Sequence, residues 1–159
     1  YIYWAKQVSG VGNARCIPLW NGAGTVKVII LGSDGKAPDD EVLQNVADYI
    51  ETQRPIGAKV TVSKAEAHPV SINATITISV GYKLTDIKNE IDKTIREYLI
   101  GIAYEEENKV LSYFKISDLI FNVSGVSDVI DYTINGGKTS ITAGTSEFFE
   151  LQEVTINEN

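Results

Sequence analysis

The chain has 159 residues, with 14 basic and 21 acidic side chains and a formal net charge of −7. A chain of this length buries roughly 70% of its unfolded surface without staples, so disorder and a disulfide scaffold are both excluded. The acid excess argues against a nucleic-acid binder and a polybasic membrane-surface protein, because both need clustered Lys and Arg.

Residues 1–24 read as an extended N-terminal segment. Pro18 confines any strand there to an edge, and Asn21-Gly22-Ala23-Gly24 is a turn. Residues 25–31 are β-branched and apolar on both faces, the pattern of a central strand. Residues 38–54 read as a helix. Pro38 and the acids Asp39, Asp40 and Glu41 suit its N-terminus, and Val42, Leu43, Val46, Ala47 and Ile50 form its apolar stripe.

Residues 59–63 alternate as a strand. Residues 70–80 give the cleanest period-two pattern, with Val70, Ile72, Ala74, Ile76, Ile78 and Val80 on one face. A second helix is predicted over 85–103, capped by Thr85, with Ile87, Ile91, Ile95 and Leu99 inward. Glu105, Glu106, Glu107 and Asn108 read as an acidic loop. Ser117 is expected to cap a short helix through Phe121, followed by a strand over 126–134 and a turn at Asn135-Gly136-Gly137. Residues 139–142 and 148–156 complete a C-terminal β region over 135–159. One internal echo stands out: Val8-Ser9-Gly10-Val11 repeats as Val123-Ser124-Gly125-Val126, each leading into extended chain.

The order over residues 25–134 is that of a split βαβ unit. The expected class is α+β: a mainly antiparallel sheet with two main helices on one face, in ferredoxin-like order. The alternative is two small α/β halves meeting near residues 66–69.

Catalytic patterns are scarce. His68 is the one histidine and Cys16 the one cysteine, and no G-x-S-x-G elbow surrounds a serine. One His and one Cys cannot build a zinc tetrahedron without carboxylates, and no C-x-x-C or H-E-x-x-H is present. Gly10-Val11-Gly12 and Gly22-Ala23-Gly24 lack the partners of a dinucleotide loop or a P-loop. The expectation is no enzyme, no cofactor and no metal. Asn73-Ala74-Thr75 and Asn122-Val123-Ser124 match the glycosylation pattern with no secretory signal beside them. No apolar run reaches the ~20 residues of a membrane span. The chain starts at Tyr1 and contains no methionine, which points to a piece of a longer polypeptide. Tyr1, Tyr3, Trp4 and Trp20 cluster early in the sequence and are the candidate interface residues, since Tyr and Trp are enriched at protein contacts.

An ordered set of motifs resembles a known family. Trp4-Ala5 leads to Val8-Ser9-Gly10-Val11, then Ala14, Pro18 and Trp20. Gly24-Thr25-Val26 opens a strand, and Arg54-Pro55-Ile56-Gly57-Ala58 precedes Val60-Thr61-Val62. Val123-Ser124-Gly125-Val126 then leads to Asp128-Val129. In this order the segment from about residue 3 to 134 resembles the C-terminal part of baseplate J-like proteins. The resemblance implies a structural wedge component of a contractile-tail baseplate, in a phage or phage-like element. Its partners would be other wedge subunits and copies of itself. It would be oligomeric in the assembled particle and made in the bacterial cytoplasm. A tail-associated module that recognises a cell-surface glycan or protein is the alternative.

Overall fold

The computed structural model describes residues 1–105 and 109–159. Glu106, Glu107 and Asn108 of the expected acidic loop lie outside the described residues. The chain is α+β and divides into two compact units, Tyr1–Ala67 and His68–Asn159.

The first unit opens with helix α1 (Ile2–Ala5), where the sequence suggests extended chain. Four strand-forming residues cannot hold a helix by propensity. Burial does it: Ala5 is fully enclosed, and Tyr1, Ile2 and Trp4 pack on the same cluster. Strands β1 (Val11–Pro18), β2 (Thr25–Gly32) and β3 (Lys59–Lys64) form one sheet in that order. β2 is the central strand, antiparallel to β1 and parallel to β3. Pro18 ends the edge strand β1, where no ladder bond is lost.

The parallel pair β2–β3 is joined through helix α2 (Asp40–Gln53). Asp39 caps α2, its carboxylate accepting from the Val42 N–H at 2.8 Å. Pro38 therefore sits just before the cap. Val46 and Ile50 seal the helix stripe against Val28 and Ile30.

The second unit holds strands β4 (Glu66–Ile78, whose first two residues lie in the preceding unit), β6 (Val126–Ile134) and β8 (Glu147–Glu158), in the order β6-β4-β8. Strands β5 (Val110–Leu111) and β7 (Ile141–Thr142) make a separate small ladder. β6 is antiparallel to β4. β8 runs the same way as β4, with Glu147 beside His68 and the Asn159 N–H donating to the Ile76 carbonyl. Helices α3 (Leu84–Ala103) and α4 (Tyr113–Phe121) pack Ile87, Ile91, Ile95 and Ile116 with the inward row Val70, Ile72, Ala74 and Ile76. Arg96 ties α3 to the sheet, pairing with Asp92 and donating to the Leu151 carbonyl at 3.1 Å.

Several expectations are corrected. The strands of residues 25–134 do not share one sheet: β2 gives one side to β1 and the other to β3, so β4 builds a second sheet with later strands. Within residues 135–159, β8 flanks β4 and buries Phe148, Phe149 and Leu151. Val80 is fully exposed rather than inward. The β4 ladder ends at Ile78, and Gly81 turns the chain at φ +94°. Lys83, not Thr85, occupies the N-cap of α3, and its side chain makes no capping bond. Ser112, not Ser117, caps α4, accepting from the Lys115 N–H at 3.3 Å.

The echo is structural. Gly10 and Gly125 have φ of +90° and +96°, and each sits between a helix and a strand. The N–H of Val11 donates to the Val8 carbonyl, and that of Val126 to the Val123 carbonyl. The two units thus use the same turn to leave a helix and enter a strand.

Candidate interaction surfaces

The four candidate aromatics separate into two pairs. Tyr1 and Trp4 meet edge to face, with centroids 5.2 Å apart at 87°, and both pack on the first unit's hydrophobic cluster. Tyr3 lies between them in sequence and is 71% exposed. Trp20 is 43% exposed on the β1–β2 connection, with the Lys27 ammonium 5.6 Å from its ring centroid. That geometry is a cation–π contact at the edge of the usual range. The structure therefore brings Tyr1 and Trp4 together and leaves Tyr3 and Trp20 as surface groups.

Two exposed apolar side chains on the loops at this end of the first unit were not singled out from the sequence. Leu19 is 66% exposed at φ +56°, a region L-residues seldom occupy. Ile56 is fully exposed in the α2–β3 connection. The signal was present in Pro18-Leu19-Trp20 and Pro55-Ile56-Gly57, apolar residues inside turn sequences, where water-facing polar groups are the norm.

The second unit carries an open groove of about 530 Å³ between α3, the turn before it, α4 and the turn after α4. Ile87, Leu119 and Val123 line it, with Asp86 and Glu90 one helical turn apart on its wall. Tyr82 closes one side and lies directly over Gly125. Elsewhere on α4, Phe114 and Phe121 are exposed two turns apart on the outer face.

The chemistry-bearing residues have structural surroundings. His68 Nδ1 lies 3.5 Å from a Glu147 carboxylate oxygen, and its ring meets Phe149 edge-on at 5.5 Å. The same carboxylate accepts from the Gly144 N–H at 2.6 Å, and this bond, ahead of His68, holds Glu147 below the usual carboxylate range. Cys16 is half-buried on the helix-facing side of β1, register-paired with Val28. Tyr113 and Tyr132 stack at 4.2 Å and donate to each other's backbone carbonyls. Burial, then the charge and hydrogen bond of Tyr113, push the Tyr132 hydroxyl above its ordinary range. Among the described residues no group of three or more His, Cys, Asp and Glu is placed to hold a metal ion. Among those residues no helix is long and apolar enough to cross a membrane.

The Glu147 linkage has a definite sign. A carboxylate whose folded pKa is depressed stabilises the fold above its unfolded pKa, and that contribution is lost as pH falls through the folded value. Acid titration below about pH 4.5 is expected to loosen the β8 start in the unaltered chain. Glu147→Gln should be weaker at neutral pH and lack that component. Hydrogen exchange at Gly144 and Phe148 measures both, and equal pH profiles for the two proteins would refute the linkage.

Comparison with known proteins maps onto the two units separately. The baseplate J-like central domain matches residues 1–64, and the baseplate J-like protein C-terminal domain matches residues 70–157. The phage-like element PBSX protein XkdT of Bacillus subtilis (strain 168) is 33% identical over 165 residues, covering 99% of this chain and 47% of that protein. Baseplate protein gp47 of Escherichia phage Mu is 30% identical over 171 residues, covering 93% of this chain and 44% of gp47. The chain thus spans a little under half the length of these relatives. In fold it is similar to a chain of the anti-feeding prophage baseplate, solved by cryo-EM with 6-fold symmetry, at a TM-score of 0.66 and 11% identity over 95% of this chain and 36% of that one. With the central domain on one compact unit and the C-terminal domain on the other, the chain belongs to the baseplate J-like family.

Proposed function

We propose that the chain is a structural part of a contractile-tail baseplate, a wedge component that acts through protein–protein contacts rather than catalysis. The observation that carries this is the end-to-end match of two baseplate J-like domains to its two units. The relatives named for a phage-like element and for a phage baseplate agree with it. Its partners in this reading are other wedge subunits and further copies of itself, in an oligomeric tail particle assembled from protein made in the bacterial cytoplasm. Tyr3 and Trp20 are the contacting members of the aromatic set, and Tyr1 and Trp4 hold Tyr3 outward by anchoring α1.

The recognition alternative needs an exposed aromatic platform. Trp4 is committed to packing and only Trp20 of the two tryptophans is open, which leaves that reading with half its support.

The test is made on tail particles from the producing cell. The expected result is that the protein co-purifies with particles, and that deleting its coding segment leaves no complete baseplates by electron microscopy. Intact baseplates formed without it would refute the proposal.

A further inference from the structure

One end of the first unit is built from two loops. Residues 19–24 join β1 to β2, and residues 54–58 join α2 to β3. The loops lie side by side: the Lys59 N–H donates to the Gly24 carbonyl at 2.8 Å, and a Cβ on Gly24 would lie 3.6 Å from the Gly57 carbonyl oxygen. Each is internally fixed. The Leu19 N–H donates to the Thr25 carbonyl at 2.8 Å, and the Thr25 hydroxyl to the Gly22 carbonyl at 2.7 Å. The Arg54 guanidinium, held by Glu51, donates to the Ala58 carbonyl at 2.7 Å.

On this fixed frame stand Leu19, Trp20 and Ile56, all exposed. Scattered apolar residues on a surface are ordinary, but here three stand on two loops whose backbones adjoin. Leu19 is also held in the left-handed region, where glycine would be unstrained. Strain of this kind persists where surroundings enforce it and concentrates at binding sites.

Two lysines, Lys27 and Lys59, lie beside these loops. Register places Ile17, Lys27 and Thr61 in one row across the sheet, with Thr25 and Lys59 in the adjoining row on the same face. Lys27 and Lys59 make no ion pair among the described residues, in a chain whose net charge is −7. The nearby cation Arg54 is already neutralised by Glu51, and Lys64 by Asp40.

We infer that this loop end docks an acidic polypeptide segment, one that seats an apolar side chain against Leu19, Trp20 and Ile56 and sets carboxylates against Lys27 and Lys59. A phosphate backbone would answer the lysines and leave the three apolar groups unburied, so a protein partner fits better. The frame is preorganised, so little ordering cost opposes docking. The inference rests on the baseplate reading for where the partner resides, and it names that partner's chemistry.

The experiment compares the isolated chain with tail particles. Acetylation of Lys27 and Lys59 is measured in both, with Lys88 as reference, and carbodiimide coupling then joins lysines to carboxylates in direct contact. The expected result is loss of Lys27 and Lys59 acetylation in particles, and their coupling to an Asp or Glu of a different protein. Undiminished acetylation overturns the docking site. Protection with no carboxylate coupling overturns the acidic partner.

Should the chain be absent from particles, the baseplate reading fails, and a peptide titration decides docking alone. The probe is a synthetic peptide with Leu-Phe flanked by glutamates, followed by NMR of residues 19–27 and 54–61. Ile56→Ser, fully exposed and without a packing role, and Lys27→Gln/Lys59→Gln should each weaken it about tenfold. A lysine-flanked peptide binding equally well, or no shift at these residues, overturns the proposal.

Discussion

Ile91→Ala is expected to destabilise the second unit by about 3 kcal/mol, within the ~2–5 kcal/mol typical of buried aliphatic truncation. Ile91 has no exposed surface and sits mid-helix in α3, in the cluster shared with Ile72, Ile76 and Ile116. The truncation removes roughly three methylene equivalents of burial and leaves a hole that packed neighbours on two helices and a sheet cannot collapse to fill. For a unit of this size the midpoint should fall by ~10–20 °C. Hydrogen-exchange protection of β4 and α3 amides should fall with it. Ile56→Ala is the matched control, because Ile56 is fully exposed and its truncation should stay within ~0.5 kcal/mol. A loss below ~1 kcal/mol at Ile91 would mean the core is not assembled around α3 as described.

Gly125→Ala is the second large effect, and it tests the turn that both units share. Gly125 has φ +96°, and its carbonyl accepts from the Ser79 N–H at 2.8 Å. A Cβ there would lie 2.5 Å from Tyr82 Cδ1, 2.6 Å from Tyr82 Cγ and 3.0 Å from Ile87 Cδ1. The backbone term costs ~1–2 kcal/mol for an L-residue in this region, and the steric term adds ~1–3 kcal/mol because Tyr82 must leave its place.

The two terms separate in a double-mutant cycle. Adding Tyr82→Ala should recover the ring-overlap part and leave the backbone part, as measured by denaturant midpoints. A double variant as unstable as the sum of the singles would show that the ring does not press on Gly125. Gly10, at φ +90° with its Cβ direction 2.9 Å from Val42 Cγ2, is blocked in the same manner in the first unit.

Much of this was legible because single-element patterns are local. The alternation over 70–78 marked the inward row of β4, and the stripe from Ile87 to Leu99 marked the inner face of α3. The repeated Val-Ser-Gly-Val was visible as an echo leading into extended chain, and the structure makes it a shared turn.

What failed to show depends on partners distant in sequence. Val80 continues the alternation perfectly, yet the hydrogen-bond ladder has already ended, and periodicity carries no record of where a neighbouring strand stops. Helix α1 is too short to display a period and exists because Ala5 is buried and Tyr1 and Trp4 pack on the same cluster. The order of strands and helices over 25–134 is the same for one sheet or two. Pairing β3 with β2 decides between them, and that is a choice among edges, invisible to element order.

The candidate site was half legible for a related reason. Aromatic content pointed to the first unit, but composition does not distinguish an anchor from a contact. Tyr1 and Trp4 became anchors, Tyr3 and Trp20 stayed open, and the apolar neighbours Leu19 and Ile56 come from segments 37 residues apart in sequence, 56 − 19.

Both tryptophans, Trp4 and Trp20, fall in the first unit, and the second unit has tyrosine and phenylalanine as its aromatic chromophores. Indole emission excited at the red edge of the absorption band therefore reports on one half of the molecule alone, while far-ultraviolet dichroism reports on both. A chain of this construction carries its own optical label for one half, and superposing the two melting curves reads out whether the halves unfold as one cooperative body or in turn.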